Sequence, residues 1–127
     1  MNSRTKGKVG EREWAGVCTA EGYPARRGVQ FQGGTDSPDV VCDSLKWAHF
    51  EVKRVERLNM RDAVAQASGD AGNKTWFIAH RWNNAPWLVT MTAETYFALV
   101  RGTLPPNPNE QLTGKGQQHI PVPCGLP

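Results

Sequence analysis

Cysteine is scarce in this 127-residue chain. Cys18, Cys42 and Cys124 are odd in number and far apart, which excludes a disulfide framework and paired zinc-ligand spacing. Cys18 and Cys42 read as small buried apolar side chains in reduced form. Long hydrophobic runs are also missing. No stretch approaches the roughly 20 consecutive apolar residues of a membrane span, and the opening MNSRTKGKVGERE has no apolar core for a signal peptide. The expectation is a soluble, cytoplasmic protein with no membrane partner. A phosphate-cradling glycine loop of the strand–helix type is absent too, because Gly33-Gly34 precedes a strand. A small-molecule substrate therefore finds no support.

What is present suits one packed domain. The chain is 39% hydrophobic and 21% charged, enough apolar content for a core and too much for wholesale disorder. Six of the nine prolines fall in the last twenty-five residues. That composition divides a folded domain, 1–103, from a proline-rich tail, 104–127. No internal repeat is visible. The net charge is only +3, but Arg4, Lys6, Lys8, Arg12, Arg26 and Arg27 crowd the first thirty residues, and Lys53, Arg54 and Arg57 form a second group. Solvated surface is the ordinary reading of such runs; the sharper one is a polyanion-binding face, because basic groups converging on one surface release counterions from nucleic acid.

Residues 8–22 read as a first helix closed by Gly22, with Trp14, Val17, Cys18 and Glu21 at helical spacing. Gly10 and Gly16 weaken it. Residues 25–32 read as a strand, followed by the turn-forming run QGGTDSP. Asp39–Asp43 and Trp47–Lys53 are two further strands. Asn59 caps a second helix, Met60–Gly72, with an apolar stripe of Met60, Ala63, Val64 and Ala67. Strands follow at Thr75–Trp82 and Trp87–Met91. Thr92 caps a third helix, Ala93–Arg101, stopped by Gly102. The order αβββαββα predicts an α/β fold with a central mixed five-stranded sheet flanked by helices.

The three residues Ser44–Lys46 between the second and third strands suit a hairpin. A turn centred on Leu45 sets Asp43 opposite Trp47, Val41 opposite His49, and Asp39 opposite Glu51. Opposed residues share a sheet face with Cβ atoms about 4.5–5.5 Å apart, and Lys53, two residues beyond Glu51, projects from the same face. A slip of one residue would undo this. Two carboxylates so close are unfavourable without a cation between them. Mg²⁺ commonly takes one or two carboxylates and completes its shell with water and substrate phosphate. The backbone carbonyl of Val52 can add an oxygen. Lys53 can orient or activate a water, or offset charge on the phosphate.

Glu-x-Lys alone is a common tripeptide. Pro38-Asp39 ahead of one strand, with Glu51-Val52-Lys53 on its partner, is far more specific. This arrangement resembles the PD-(D/E)XK nuclease superfamily. Lys6 to Glu13, K-G-x-x-G-E-R-E, resembles the archaeal-type Holliday-junction resolvases within it. R-R-G-x-Q-F-x-G-G-x-D-S-P-D-V followed by H-F-E-V-K-R-V-E-R-L-N looks like a phage-associated group of that class. The resemblance covers residues 3–101 and implies a restriction-endonuclease-like core. It assigns Asp39 and Glu51 as metal ligands, Lys53 as the catalytic lysine, and Glu11 as the first-helix glutamate completing the acidic site. It also implies Mg²⁺, with Mn²⁺ as a substitute.

Glu11 has Ala15 and Cys18 at i+4 and i+7, which suggests an inward face. Arg12 and one of Arg26 and Arg27 match phosphate-contacting residues of the family. Lys6, Arg54, Arg57 and Arg81 extend that basic set. Ser37 stands where the archaeal resolvases carry a serine-containing loop. A glutamine at the place of Gln66 approaches the lysine or the DNA in related nucleases. His49 and His80 read as satisfied strand histidines ahead of ligands or bases, and Trp47, Trp76, Trp82 and Trp87 as core or interface aromatics ahead of base-stacking platforms. The leading expectation is a homodimeric resolvase hydrolysing phosphodiesters in branched DNA, since two symmetric cuts need two sites. A VRR-type nuclease acting on flap or other branched DNA is the second expectation. A structure-specific DNA-binding protein without turnover is the third.

Overall fold

Trp14, Ala15 and Cys18 lie on one face of the first helix, and that face is buried. The computed structural model describes residues 3–28 and 39–106, with side chains from residue 7 onward. Helix α1 spans Ser3–Ala20, beginning five residues before the start that the sequence suggests. Gly10 sits inside it for a reason of space. A Cβ at Gly10 would stand 2.6 Å from Cβ of Arg54, so the missing side chain lets the helix lie close against the sheet. Gly22, at φ +101°, ends the helix. The Tyr23 amide then donates to the Cys18 carbonyl at 2.9 Å and the Gly22 amide to Thr19 at 3.0 Å, which satisfies carbonyls the helix leaves open.

Strands β1 (Ala25–Arg27), β2 (Val40–Cys42) and β3 (Ala48–Arg54) follow. A single 3₁₀ turn, Asp43–Leu45, joins β2 to β3. Helix α2 (Met60–Ala71), strands β4 (Thr75–Arg81) and β5 (Leu88–Thr90), and helix α3 (Ala93–Arg101) complete the order αβββαββα. The fold is α/β with a mixed five-stranded sheet in the order β1-β2-β3-β4-β5. Only β3 and β4 run parallel. A parallel pair needs a crossover, and α2 supplies it. The second half of the expected strand 25–32, the Gly33-Gly34 loop and the tail from residue 107 lie outside the described residues.

The chain forms two units, Met1–Met91 and Thr92–Pro127. In the first, the sheet separates two cores. Ala48, Phe50 and Val52 of β3 and Phe77 and Ala79 of β4 pack with Trp14, Ala15 and Cys18 of α1. Trp14 meets Phe50 edge-on at 5.6 Å and Trp87 at 5.3 Å. Cys18 and Cys42 are buried free thiols. Burial and then the neighbouring Cys42 push the Cys18 thiol up to about 11, consistent with an unreactive sulfur. On the opposite face, Ile78 packs with Ala63 and Ala67 of α2. Met60, expected on that stripe, is exposed, and Ala71, at the other end of α2, is buried.

The second unit contains α3, with the predicted bounds. Thr92 Oγ1 accepts from the Thr95 amide at 3.0 Å, and Gly102, at φ +75°, closes the helix in the left-handed region. Among the described residues no helix is long and apolar enough to cross a membrane.

Candidate active site

β3 is the central strand, and its side chains alternate between the two cores. Ala48, Phe50 and Val52 turn to α1, so His49, Glu51 and Lys53 project from the α2 face. Val40 pairs with Phe50. This is the register of a turn centred on Leu45, and it sets Asp39 beside Glu51. Asp39 is then fixed by a backbone contact: its Oδ2 accepts from the Val52 amide at 2.9 Å.

Glu51 is 2% exposed, one of the most deeply buried side chains present. Its Oε2 lies 3.6 Å from Nζ of Lys53 and its Oε1 lies 3.4 Å from Nε2 of His49. Burying a carboxylate is unfavourable unless charge and hydrogen bonds compensate it. Lys53 in turn donates to the side-chain oxygen of Gln66 at 2.7 Å. The Asp39 carboxyl is raised to about 7. Burial is the main cause, and the negative charge of Glu51 comes next; Glu11 adds to the rise, while the Val52 amide and Lys53 oppose it. Asp39 therefore feels the charges of Glu51, Glu11 and Lys53 together. A cation there would relieve the mutual repulsion of the carboxylates, so Asp39 and Glu51 fit a divalent ion by the chemistry of their donors.

Glu11 is engaged elsewhere, its Oε1 accepting from Nε of Arg27 at 3.0 Å. The expected basic residues divide into two groups. Arg12 and Arg57 are exposed, and Arg26 makes an exposed contact with Asp43 at 3.5 Å. Arg54 and Arg81 both reach Glu13 of α1, at 3.3 and 3.2 Å. That contact lies on the α1 face, across the sheet from Lys53. Ser37 and the Lys6 side chain lie outside the described residues. His80 bonds Thr90 at 2.8 Å, and burial lowers its pKa.

One residue escaped the reading of the sequence. Asp70, in the last turn of α2, brings a carboxylate to His49 and Glu51, and the ligand atoms of the three lie within 4.8 Å of one another. This cluster can hold a metal ion, and among the described residues it is the only such group of three or more. A signal was present in the sequence. Asp70 follows Ala63 and Ala67 at i+7 and i+3, on the helix face that packs inward.

Comparison with protein-family models, with curated proteins and with solved structures finds no match for this chain.

Proposed function

We propose that the chain is a Mg²⁺-dependent, structure-specific DNA endonuclease of the PD-(D/E)XK type, with a restriction-endonuclease-like core, acting on four-way junctions as a cytoplasmic homodimer. One observation carries the reading: Asp39, immediately before β2, stands beside Glu51 of the paired strand β3, with the Lys53 ammonium 3.6 Å from Glu51.

Asp39, Glu51 and the Val52 carbonyl would hold the ion, which supplies Lewis acidity and a lowered pKa for a bound water. The chain's own residues do the rest. Gln66 holds Lys53 in place, and the ammonium offsets negative charge developing on the phosphate. Glu11 adds its charge to the acidic site while Arg27 anchors it to β1. Exposed Arg12, Arg26 and Arg57, with Lys6 and Ser37, contact phosphates and fix the position of the DNA without reading its sequence. Arg54 and Arg81 dock α1 through Glu13, so they act on DNA only by giving up that pair. The edge strand β5 exposes Leu88 and Val89, with Trp82 exposed nearby. Such an edge suits self-association into a C₂ dimer with two sites.

The test uses end-labelled four-way junction, flap and linear duplex DNA, each with Mg²⁺ or EDTA. Paired, symmetric, Mg²⁺-dependent nicks in the junction alone are expected. Cleavage of flap or duplex instead overturns the junction assignment in favour of a VRR-type activity. Binding without cleavage under Mg²⁺ and Mn²⁺ overturns the nuclease reading and leaves a DNA-binding protein.

A further inference from the structure

We propose that His49, Glu51 and Asp70 form a second metal centre, adjoining the Asp39–Glu51 pair through the shared Glu51, that takes a borderline divalent ion of the Zn²⁺ class and clamps the end of α2 to β3.

The donor set is one imidazole nitrogen and two carboxylates. Mg²⁺ and Ca²⁺ take oxygen ligands, whereas Zn²⁺ and its neighbours accept nitrogen and carboxylate together. Two of the donors are preset by the fold. His49 and Glu51 are 4% and 2% exposed, two apart on a strand held on both sides, so their side chains emerge from one face in parallel. The third comes from α2. Gln66 and Asp70 are four residues apart and share a helix face. Gln66 meets Lys53, and one turn later Asp70 meets His49 and Glu51.

A second observation points to an ion. Oε1 of Glu51 is buried, and its partner among the described residues is Nε2 of His49 at 3.4 Å. That is longer than the usual hydrogen bond of about 2.7–3.2 Å. It equals the edge of a tetrahedron around an ion with bonds of about 2.0–2.1 Å, which is about 3.3–3.4 Å. The two atoms stand at the separation of two ligands on one ion. Lys53 faces the other oxygen, Oε2, so Glu51 has Oε1 for this centre. Coordination uses the lone pair of neutral Nε2. Asp70 lies at the helix end, so an ion held there ties the last turn of α2 to the sheet. Through the same helix it holds Gln66 against Lys53.

The proposal concerns metal binding alone and is read without DNA. The full chain, stripped with EDTA, is titrated with Co²⁺ and then Zn²⁺. With excess Mg²⁺ present to fill the Asp39–Glu51 pair, one equivalent of Co²⁺ with the visible absorption of a four-coordinate nitrogen–oxygen site is expected, displaced by Zn²⁺. Zn²⁺ also raises the melting temperature in proportion to the logarithm of its concentration once the site is saturated. Asp70→Asn, a substitution near the helix end that preserves shape, abolishes both effects; Asp39→Asn preserves them. His49→Ala abolishes them as well, and the circular dichroism spectrum of each variant establishes that it is folded. No visible absorption, an absorption unchanged in folded Asp70→Asn, or one lost in Asp39→Asn overturns the proposal. Nuclease activity has no part in these readouts, so the metal centre and the nuclease reading succeed or fail separately.

Discussion

The Lys53 ammonium is closer to Gln66 than to Glu51, 2.7 Å from the amide oxygen against 3.6 Å from the carboxylate. A neutral helix residue, rather than the acidic partner, sets where the lysine points. On the proposed nuclease reading, Gln66 is a positioning residue. Gln66→Ala is expected to lower the single-turnover cleavage rate about tenfold, equivalent to ~1.4 kcal/mol of barrier, with DNA affinity unchanged. Gln66→Glu keeps an acceptor for the ammonium and retains most of the rate. Rate and affinity are measured side by side. A loss of affinity with no loss of rate would place Gln66 on the DNA instead of on the lysine.

Asp39 makes metal-free stability depend on pH. Its folded pKa, about 7, lies above the ordinary 3.8, because of burial and then the charge of Glu51. The folded state thus keeps a proton that the unfolded chain has already released. Stability from this group is full below about pH 4 and falls as pH rises to about 7, by an amount on the order of 4 kcal/mol. Denaturant midpoints of the metal-free protein and of Asp39→Asn should diverge over that window, the wild type losing ground as pH rises. Metal affinity of the Asp39 site rises across the same window, because the ion competes with the proton. Parallel midpoint curves for the two proteins would contradict this account of Asp39.

Two glycines of α1 should respond in opposite directions to alanine. A Cβ at Gly10 meets Arg54 Cβ at 2.6 Å, while one at Gly16 meets nothing within 4 Å. Gly16→Ala should stabilise by about 0.5–1 kcal/mol through helix propensity. Gly10→Ala gains the same propensity, but overpacking of about 1–3 kcal/mol opposes it. A net loss is expected, with α1 pushed off β3. Urea midpoints of both variants measure the difference, and equal shifts of the same sign would show that α1 does not need the close approach.

Local signals carried far in this sequence. The number of residues between β2 and β3 fixed the hairpin register, and the register set Asp39 beside Glu51 with Lys53 on the same face. Caps at Asn59, Thr92 and Gly102 gave the helix bounds closely. Three features were not legible. Gly10 argued against a helix by propensity, since the helix's nearness to Arg54 is a tertiary fact. Arg54 and Arg81 read as phosphate contacts because their shared partner, Glu13, is distant in sequence and comes near only through packing. Asp70 was passed over because its approach to His49 and Glu51 depends on α2 running back along β3, although its place on the Ala63–Ala67 stripe set it apart from an ordinary exposed aspartate.

The central claim is that Lys53, Asp39 and Glu51 do phosphodiester chemistry. Its most direct test is single-turnover cleavage of a labelled four-way junction in Mg²⁺ by wild type and by folded Lys53→Ala, with gel-shift affinity measured on the same samples. The account predicts cleavage by wild type, a fall of about a hundredfold or more in the variant, as for loss of a group acting on transition-state charge, and junction affinity that changes little. Equal cleavage by both proteins, or tight binding with no cleavage by either, would contradict it.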